Sequence, residues 1–110
     1  MAYARGDVVL VPFPFTDLSA TRVRPALVVS SEAFRSAGPD LILAMITSQT
    51  QTSRTDCVLE DWRDAGLIHP SWVRAKVATL AESLIQFSPG RLSARDLKNV
   101  GARLRVALDL

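Results

Sequence analysis

The chain has 110 residues, 48% hydrophobic and 22% charged, with a formal net charge of +2; this is the composition of one globular domain, not of a disordered segment. No apolar run approaches the ~18 residues that span a bilayer, and Pro12 and Pro14 break up the first twenty residues, which argues against a signal peptide or membrane anchor. The lone Cys57 excludes an internal disulfide and a cysteine-built metal site, and points to a reducing, cytoplasmic compartment in which it serves as a small buried apolar residue.

In "GDVVLVPF", β-branched residues after a glycine predict a first strand from Asp7 to Val11, with Pro12 and Pro14 ending regular pairing. Residues 13–23, "FPFTDLSATRV", read as a long loop, and long loops in small domains are often functional. Pro25 opens a second strand that runs to Ser30, because proline at a strand's start need not interrupt the ladder. Arg22 and Arg24 are thereby left at its mouth. "SEAFRSAG" predicts a short helix capped by Ser30 or Ser31 and closed by Gly38. "LILAMITS", residues 41–48, is a nearly continuous apolar run of strand length, hence a central strand buried on both faces.

A polar turn, "QTQTSRT", leads to a short strand and an acidic turn in "DCVLEDW". In "SWVRAKVATL", Trp72, Arg74, Lys76 and Ala78 alternate with Val73, Ala75, Val77 and Thr79, which predicts one basic face and one inward face. "SARDLKNVGARLRVALDL" predicts an amphipathic C-terminal helix. Ser93 and Asp96 stand at capping-box spacing, and Leu97, Val100, Leu104, Ala107 and Leu108 share one face. The fold class is mainly β with α: a small, strongly curved antiparallel sheet or partly open barrel with the C-terminal helix packed on it.

Charge is unevenly spread. Residues 56–64 hold four acids against one arginine, leaving twelve basic and seven acidic residues elsewhere, a modest basic surplus that suits an anionic partner. Glu60, Asp61 and Asp64 lack the ligand spacing of a calcium loop and read as solvated. The one histidine, His69, precedes Pro70 in a turn or loop and reads as ordinary surface; alone it supplies neither an acid and base pair nor a zinc site. No metal or cofactor is expected. What remains is arginine with hydroxyls: Arg22 and Arg24 at one strand mouth, Thr47 and Ser48 at the end of the next. If those strands are neighbours, an arginine fork and a hydroxyl meet at one rim and can bind a phosphate. Such donors suit attack by a ribose 2′-OH on the adjacent phosphate.

"RGDVVLVPFPFTD", "RVRPALVVSS", "LILAMITS", "WRDAGLIHPSWVRAKVATL" and "GRLSARDLKNVGARL", in this order and spacing, resemble the PemK/MazF toxin family across essentially the whole chain. The resemblance implies a homodimer of SH3-like barrels with a helical cover. It also implies a sequence-selective, ribosome-independent and metal-independent endoribonuclease of a type II toxin–antitoxin system, cutting single-stranded mRNA and neutralised by a cognate antitoxin. The family's catalytic arginine matches Arg24 and its catalytic threonine Thr47, with 2′,3′-cyclic phosphate and 5′-hydroxyl products.

An arginine is a poor proton acceptor, so Asp17 stands as the alternative general base. Phe13 and Phe15 are candidates for stacking on bases, and Arg22, Ser48, Arg74 and Lys76 for contacts along the rim. The chain departs from the family pattern in a shorter loop and in Ala78, which stands where relatives carry a second arginine. A binding module of the same fold that inhibits a protein such as DNA gyrase without catalysis is the competing reading.

Overall fold

The computed structural model describes residues 3–13, 22–50 and 53–110. Phe15 and Asp17 lie outside the described residues, and of Phe13 only the main chain is described. The described strands are β1 (Asp7–Phe13), β2 (Arg22–Val28), β3 (Asp40–Thr47), β4 (Cys57–Val58), β5 (Trp72–Ala81) and β6 (Phe87–Arg91), and the helices are α1 (Glu32–Ser36) and α2 (Ala94–Leu108). The strands form one curled antiparallel sheet in the order β4-β5-β3-β2-β1-β6, a half-barrel whose two edges stay apart. The mainly β architecture with one main helix is the expected one.

Strand alternation explains the core. Val8, Leu27, Ala44, Ile46 and Val73 face one way and join Cys57, Leu59, Leu92 and Val100 of α2. Their neighbours Val9, Val11, Ala26, Val28, Leu41 and Leu43 face the other way and form a second buried cluster. Consecutive residues therefore serve opposite cores, which is why these strands read as apolar runs and not as alternating patterns. Each fully buried valine or leucine contributes about 1.5–3 kcal/mol.

Two strands outrun their predicted ends. Val11, Pro12 and Phe13 pair with Arg24, Val23 and Arg22, so β1 continues past Pro12 and both arginines belong to β2 itself. Pro12 is tolerated because of the side it faces. Gln86 N donates to Leu10 O, so Leu10 and, two residues on, Pro12 turn their main-chain groups towards β6, whose pairing stops at Leu10.

The two-faced reading of β5 is corrected in its second half. Val73 is buried as expected, but Val77 is 42% exposed, Thr79 is exposed, and Ala78 and Leu80 pack on the second core instead. Ala44 pairs with Val77 and Ile46 with Val73, so two steps on β3 face four on β5, a bulge whose even excess leaves every side chain on its own face. Val77 and Thr79 share Val73's side of the sheet but lie beyond the reach of the first core, while Ala78 and Leu80, opposite Leu43 and Leu41, meet the second core on the other side.

Of the two proposed caps for α1, Ser31 is the one, accepting from Phe34 N at 3.2 Å; Ser30 is buried and accepts from Ile42 N. In α2, Ser93 caps as predicted, accepting from Asp96 N at 3.2 Å. Leu97, Val100 and Leu104 pack on the first core. Ala107 is exposed and Leu108 is 56% exposed, so the last turn of the apolar stripe runs past the sheet into solvent.

The acidic segment is not simply solvated. Asp96 has no exposed surface, and its carboxylate accepts from Glu60 N at 3.0 Å and from Asp61 N at 2.8 Å. Asp61 in turn accepts from Arg95 Nη2 at 2.7 Å and from Ser93 Oγ at 2.6 Å. The turn and the first turn of α2 thus clamp each other. The Arg95 and Ser93 hydrogen bonds hold the Asp61 carboxyl below the usual carboxylate value. Because this lowered value belongs to the folded state, its stabilisation is present above the ordinary aspartate pKa of about 4 and is lost as pH falls through the lower folded value. Melting temperatures measured from pH 7 down to pH 2 are therefore expected to fall less steeply below pH 4 in Asp61→Asn than in the wild type.

Gly66 and Gly90 allow this turn to sit on β6. Gly66 has φ +81°, and a Cβ there would lie 2.5 Å from the Pro89 carbonyl oxygen; one on Gly90 would lie 2.6 Å from the Ala65 carbonyl oxygen. Cys57 is buried as expected, at 4% exposure, and burial pushes its thiol pKa up. A buried thiol held protonated is a poor nucleophile. Alkylation by iodoacetamide at pH 7.5, followed by mass spectrometry, is expected to be at least about 100-fold slower for native than for urea-unfolded protein.

Candidate functional site

Sheet pairing explains where a cleft opens. Val29 N donates to Ile42 O, and stepping by two along the β2–β3 register leads to Leu27 with Ala44 and then to Pro25 with Ile46. That last step needs an N–H that proline lacks, and regular pairing ends one residue earlier, at Ala26 with Met45. Beyond it β2 carries Arg24 while β3 carries Thr47, with the ladder between them unmade.

On the other side of β3, the bulge in β5 takes Arg74 and Lys76 out of regular pairing. The result is a cleft of about 540 Å³ whose walls include Arg24 and Pro25 from β2, Ile46 to Gln49 from the end of β3, Leu67 to His69 from the connection before β5, and Ser71, Arg74 and Lys76. The rim expected from sequence therefore exists, and it holds Arg24, Thr47, Ser48, Arg74 and Lys76 together. Arg22 lies on β2 but is not among the lining residues. Two residues nearer the strand's start, it sits about 7 Å further along.

The donors are set up by local chemistry. Thr47 Oγ1 accepts from Gln49 N at 3.2 Å, which turns the chain at the strand end and still leaves one O–H to donate. Arg74 Nε lies 3.7 Å from Asp56 Oδ1, and the Asp56 side chain is only 5% exposed. That buried carboxylate tethers the guanidinium from behind the wall and offsets part of its charge. Arg24 and Lys76 contribute further positive charge, from β2 and β5. Three cations and two hydroxyls around one opening are the donor set by which a phosphate can be held.

The sequence predicts His69 as ordinary surface, and it is exposed, but the structure brings it into the same cleft. Its carbonyl accepts from Ser71 Oγ at 2.8 Å, and Ser71 is buried. No local pattern signals this, because the placement depends on the turn of residues 60–66 docking on β6 and on α2. Among the described residues, no carboxylate lines the cleft, and no group of three or more histidine, cysteine, aspartate or glutamate residues is placed to hold a metal ion. No helix among them is long and apolar enough to cross a membrane.

Solved structures share this architecture. A mycobacterial endoribonuclease, solved in complex with its cognate antitoxin, is 22% identical with a TM-score of 0.84, over 99% of this chain and 97% of that one. The Mycobacterium tuberculosis toxin MazF-mt6 is 20% identical with a TM-score of 0.77, over 94% and 97% of the two chains. MazF from Deinococcus radiodurans is 18% identical with a TM-score of 0.77, over 100% and 99%. No curated protein sequence matches the chain. The family model of the PemK-like, MazF-like toxins matches residues 4–108, nearly the whole chain. With a curled antiparallel half-barrel and a C-terminal helix that match this fold, the chain belongs to the PemK-like, MazF-like toxins of type II toxin–antitoxin systems.

Proposed function

We propose that this toxin is a sequence-selective, ribosome-independent endoribonuclease that cuts single-stranded mRNA by attack of the ribose 2′-OH on the adjacent phosphate. The products are a 2′,3′-cyclic phosphate and a 5′-hydroxyl. The observation that carries this reading is the juxtaposition of Arg24 and Thr47 where the ladder between β2 and β3 stops, in a cleft lined by further cations. Arg24 clamps the scissile phosphate and hydrogen-bonds towards the departing 5′-oxygen, while Thr47 donates to a non-bridging oxygen. Both stabilise negative charge that grows as the phosphorane forms, so a bound metal is not called for.

Ser48, Arg74 and Lys76 hold neighbouring phosphates along the rim, and Arg22 extends that track from outside the cleft. Stacking by Phe13 and Phe15 and proton abstraction by Asp17 are parts of the sequence reading that lie outside the described side chains. A homodimer neutralised by a cognate antitoxin in the cytoplasm completes the proposal. It is supported by the mycobacterial structure solved with its antitoxin and by the exposed Phe87, Val106, Leu108 and Leu110, apolar surface open to a partner chain.

The test is incubation of purified protein with a long single-stranded RNA in EDTA. Cleavage leaving 5′-hydroxyl ends supports the reading. Growth inhibition without cleavage of any RNA offered would replace it with that of a non-catalytic module acting on a protein such as DNA gyrase.

A further inference from the structure

We propose that His69 is the general base for this cleavage, an inference that rests on the ribonuclease reading above. Attack by a 2′-OH needs a proton acceptor near neutral pH. Arginine and lysine do not serve, since a protonated guanidinium or ammonium has donors and no acceptor. Hydroxyls such as Thr47 and Ser48 are far too weak as bases. Among the described lining residues, His69 is the one with an imidazole, whose neutral tautomers each keep one ring nitrogen free to accept a proton.

Its setting fits the task. The ring is exposed to an incoming strand, while its main chain is held by Ser71 Oγ at 2.8 Å and by the restricted backbone at Pro70. Leu59 N donates to Ser71 O at 3.0 Å, which ties the bend to the core side of the sheet. The charged groups sharing the cleft are Arg24 from β2 and Arg74 and Lys76 from β5; Asp56 pairs with Arg74 from behind. The end of β3 contributes only the neutral Thr47, Ser48 and Gln49. Cations on both sides hold the phosphate, and the neutral ring takes the proton.

In the step itself, a ring nitrogen of His69 accepts the 2′-OH proton as the 2′-oxygen bonds to phosphorus and the P–O5′ bond breaks. The 5′-alkoxide, held by Arg24, takes a proton from water at the open mouth. The imidazolium then returns its proton to the hydroxide so formed, and charge balances.

The experiment measures single-turnover cleavage of an RNA that the wild type cuts, in EDTA from pH 5 to 9, together with RNA affinity. For His69→Gln the expected result is a loss of about 10²–10⁴-fold in rate at pH 7.5, with affinity within about twofold. Wild-type rate should climb about tenfold per pH unit on its acid limb and then level, and this limb should vanish in His69→Gln. His69→Gln cleaving within about threefold of wild type with its acid limb intact would overturn the assignment. So would disappearance of the limb in Asp17→Asn instead. Wild-type protein that cuts no RNA overturns both readings, whereas an inactive Arg24→Ala beside an active His69→Gln overturns only this one.

Discussion

Arg24→Ala is expected to slow RNA cleavage about 10²–10³-fold, the loss that follows removal of one preorganised donor to a developing oxyanion, or roughly 3–4 kcal/mol of transition-state stabilisation. Thr47→Ala should fall in the same range. Arg24 is exposed on a strand whose first residues, Arg22 to Pro25, pair only with β1, and it belongs to neither buried cluster. The loss should therefore appear in the single-turnover rate, with Tm unchanged within about 1 °C because exposed substitutions cost little. Arg24→Lys is a sharper probe. It retains the charge but replaces the planar fork with a point donor, so it should recover affinity more than rate. Arg22→Ala, outside the cleft, should mainly weaken RNA binding and flatten its salt dependence. Equal rate losses in Arg22→Ala and Arg24→Ala would mean that the arginines supply only charge, and would refute the division of roles.

The largest effect on stability is expected at Asp96. Asp96→Ala removes a fully buried carboxylate that accepts two main-chain N–H groups, from Glu60 and Asp61. Both donors then stay buried or must reach water by undoing the turn. Hydrogen bonds to a charged group are worth about 1.5–3 kcal/mol each. The carboxylate also lies in the first turn of α2, where a negative charge is favoured by the helix dipole. A net loss of about 3 kcal/mol is expected, which lowers Tm by about 10–15 °C in a domain of this size. Thermal unfolding followed by circular dichroism at fixed protein concentration checks it. A shift under 2 °C would show that the clamp is redundant. The Asn variant is informative too: its amide can accept from only one of the two N–H groups and presents a donor to the other, so it should recover little.

Asp96 and Asp61 also show where reading the chain by itself stops. Ser93 and Asp96 have capping-box spacing, and the cap by Ser93 forms as local chemistry requires. The aspartate does not complete the box. It reaches 35 and 36 residues away instead, to a turn whose acids look solvated in isolation. A similar limit applies on β5, where strict alternation predicts Val77 and Thr79 inside. They do share Val73's face, but the first core does not extend that far along β5, and the opposite face is the one buried there, by the second core. How far a core reaches along a strand depends on what the rest of the chain packs against it, and the strand alone does not record it.

Short-range physical chemistry decides what one stretch of chain can show: β-branched runs make strands, Ser31 and Ser93 make caps, and a motif such as "RVRPALVVSS" carries the family resemblance. From these the sequence by itself determined the mainly β class, the helix at the end, and a strand mouth where an arginine precedes a proline. Tertiary pairing decided the rest. The ladder between β2 and β3 fails at Pro25 because Ile46 faces it there, and only that register turns Arg24 and Thr47 into the two lips of one cleft. The docked acidic turn then brings His69 to the same opening from a segment with no local mark of function. A side chain's neighbours across a sheet depend on register and closure, and these belong to the folded chain as a whole.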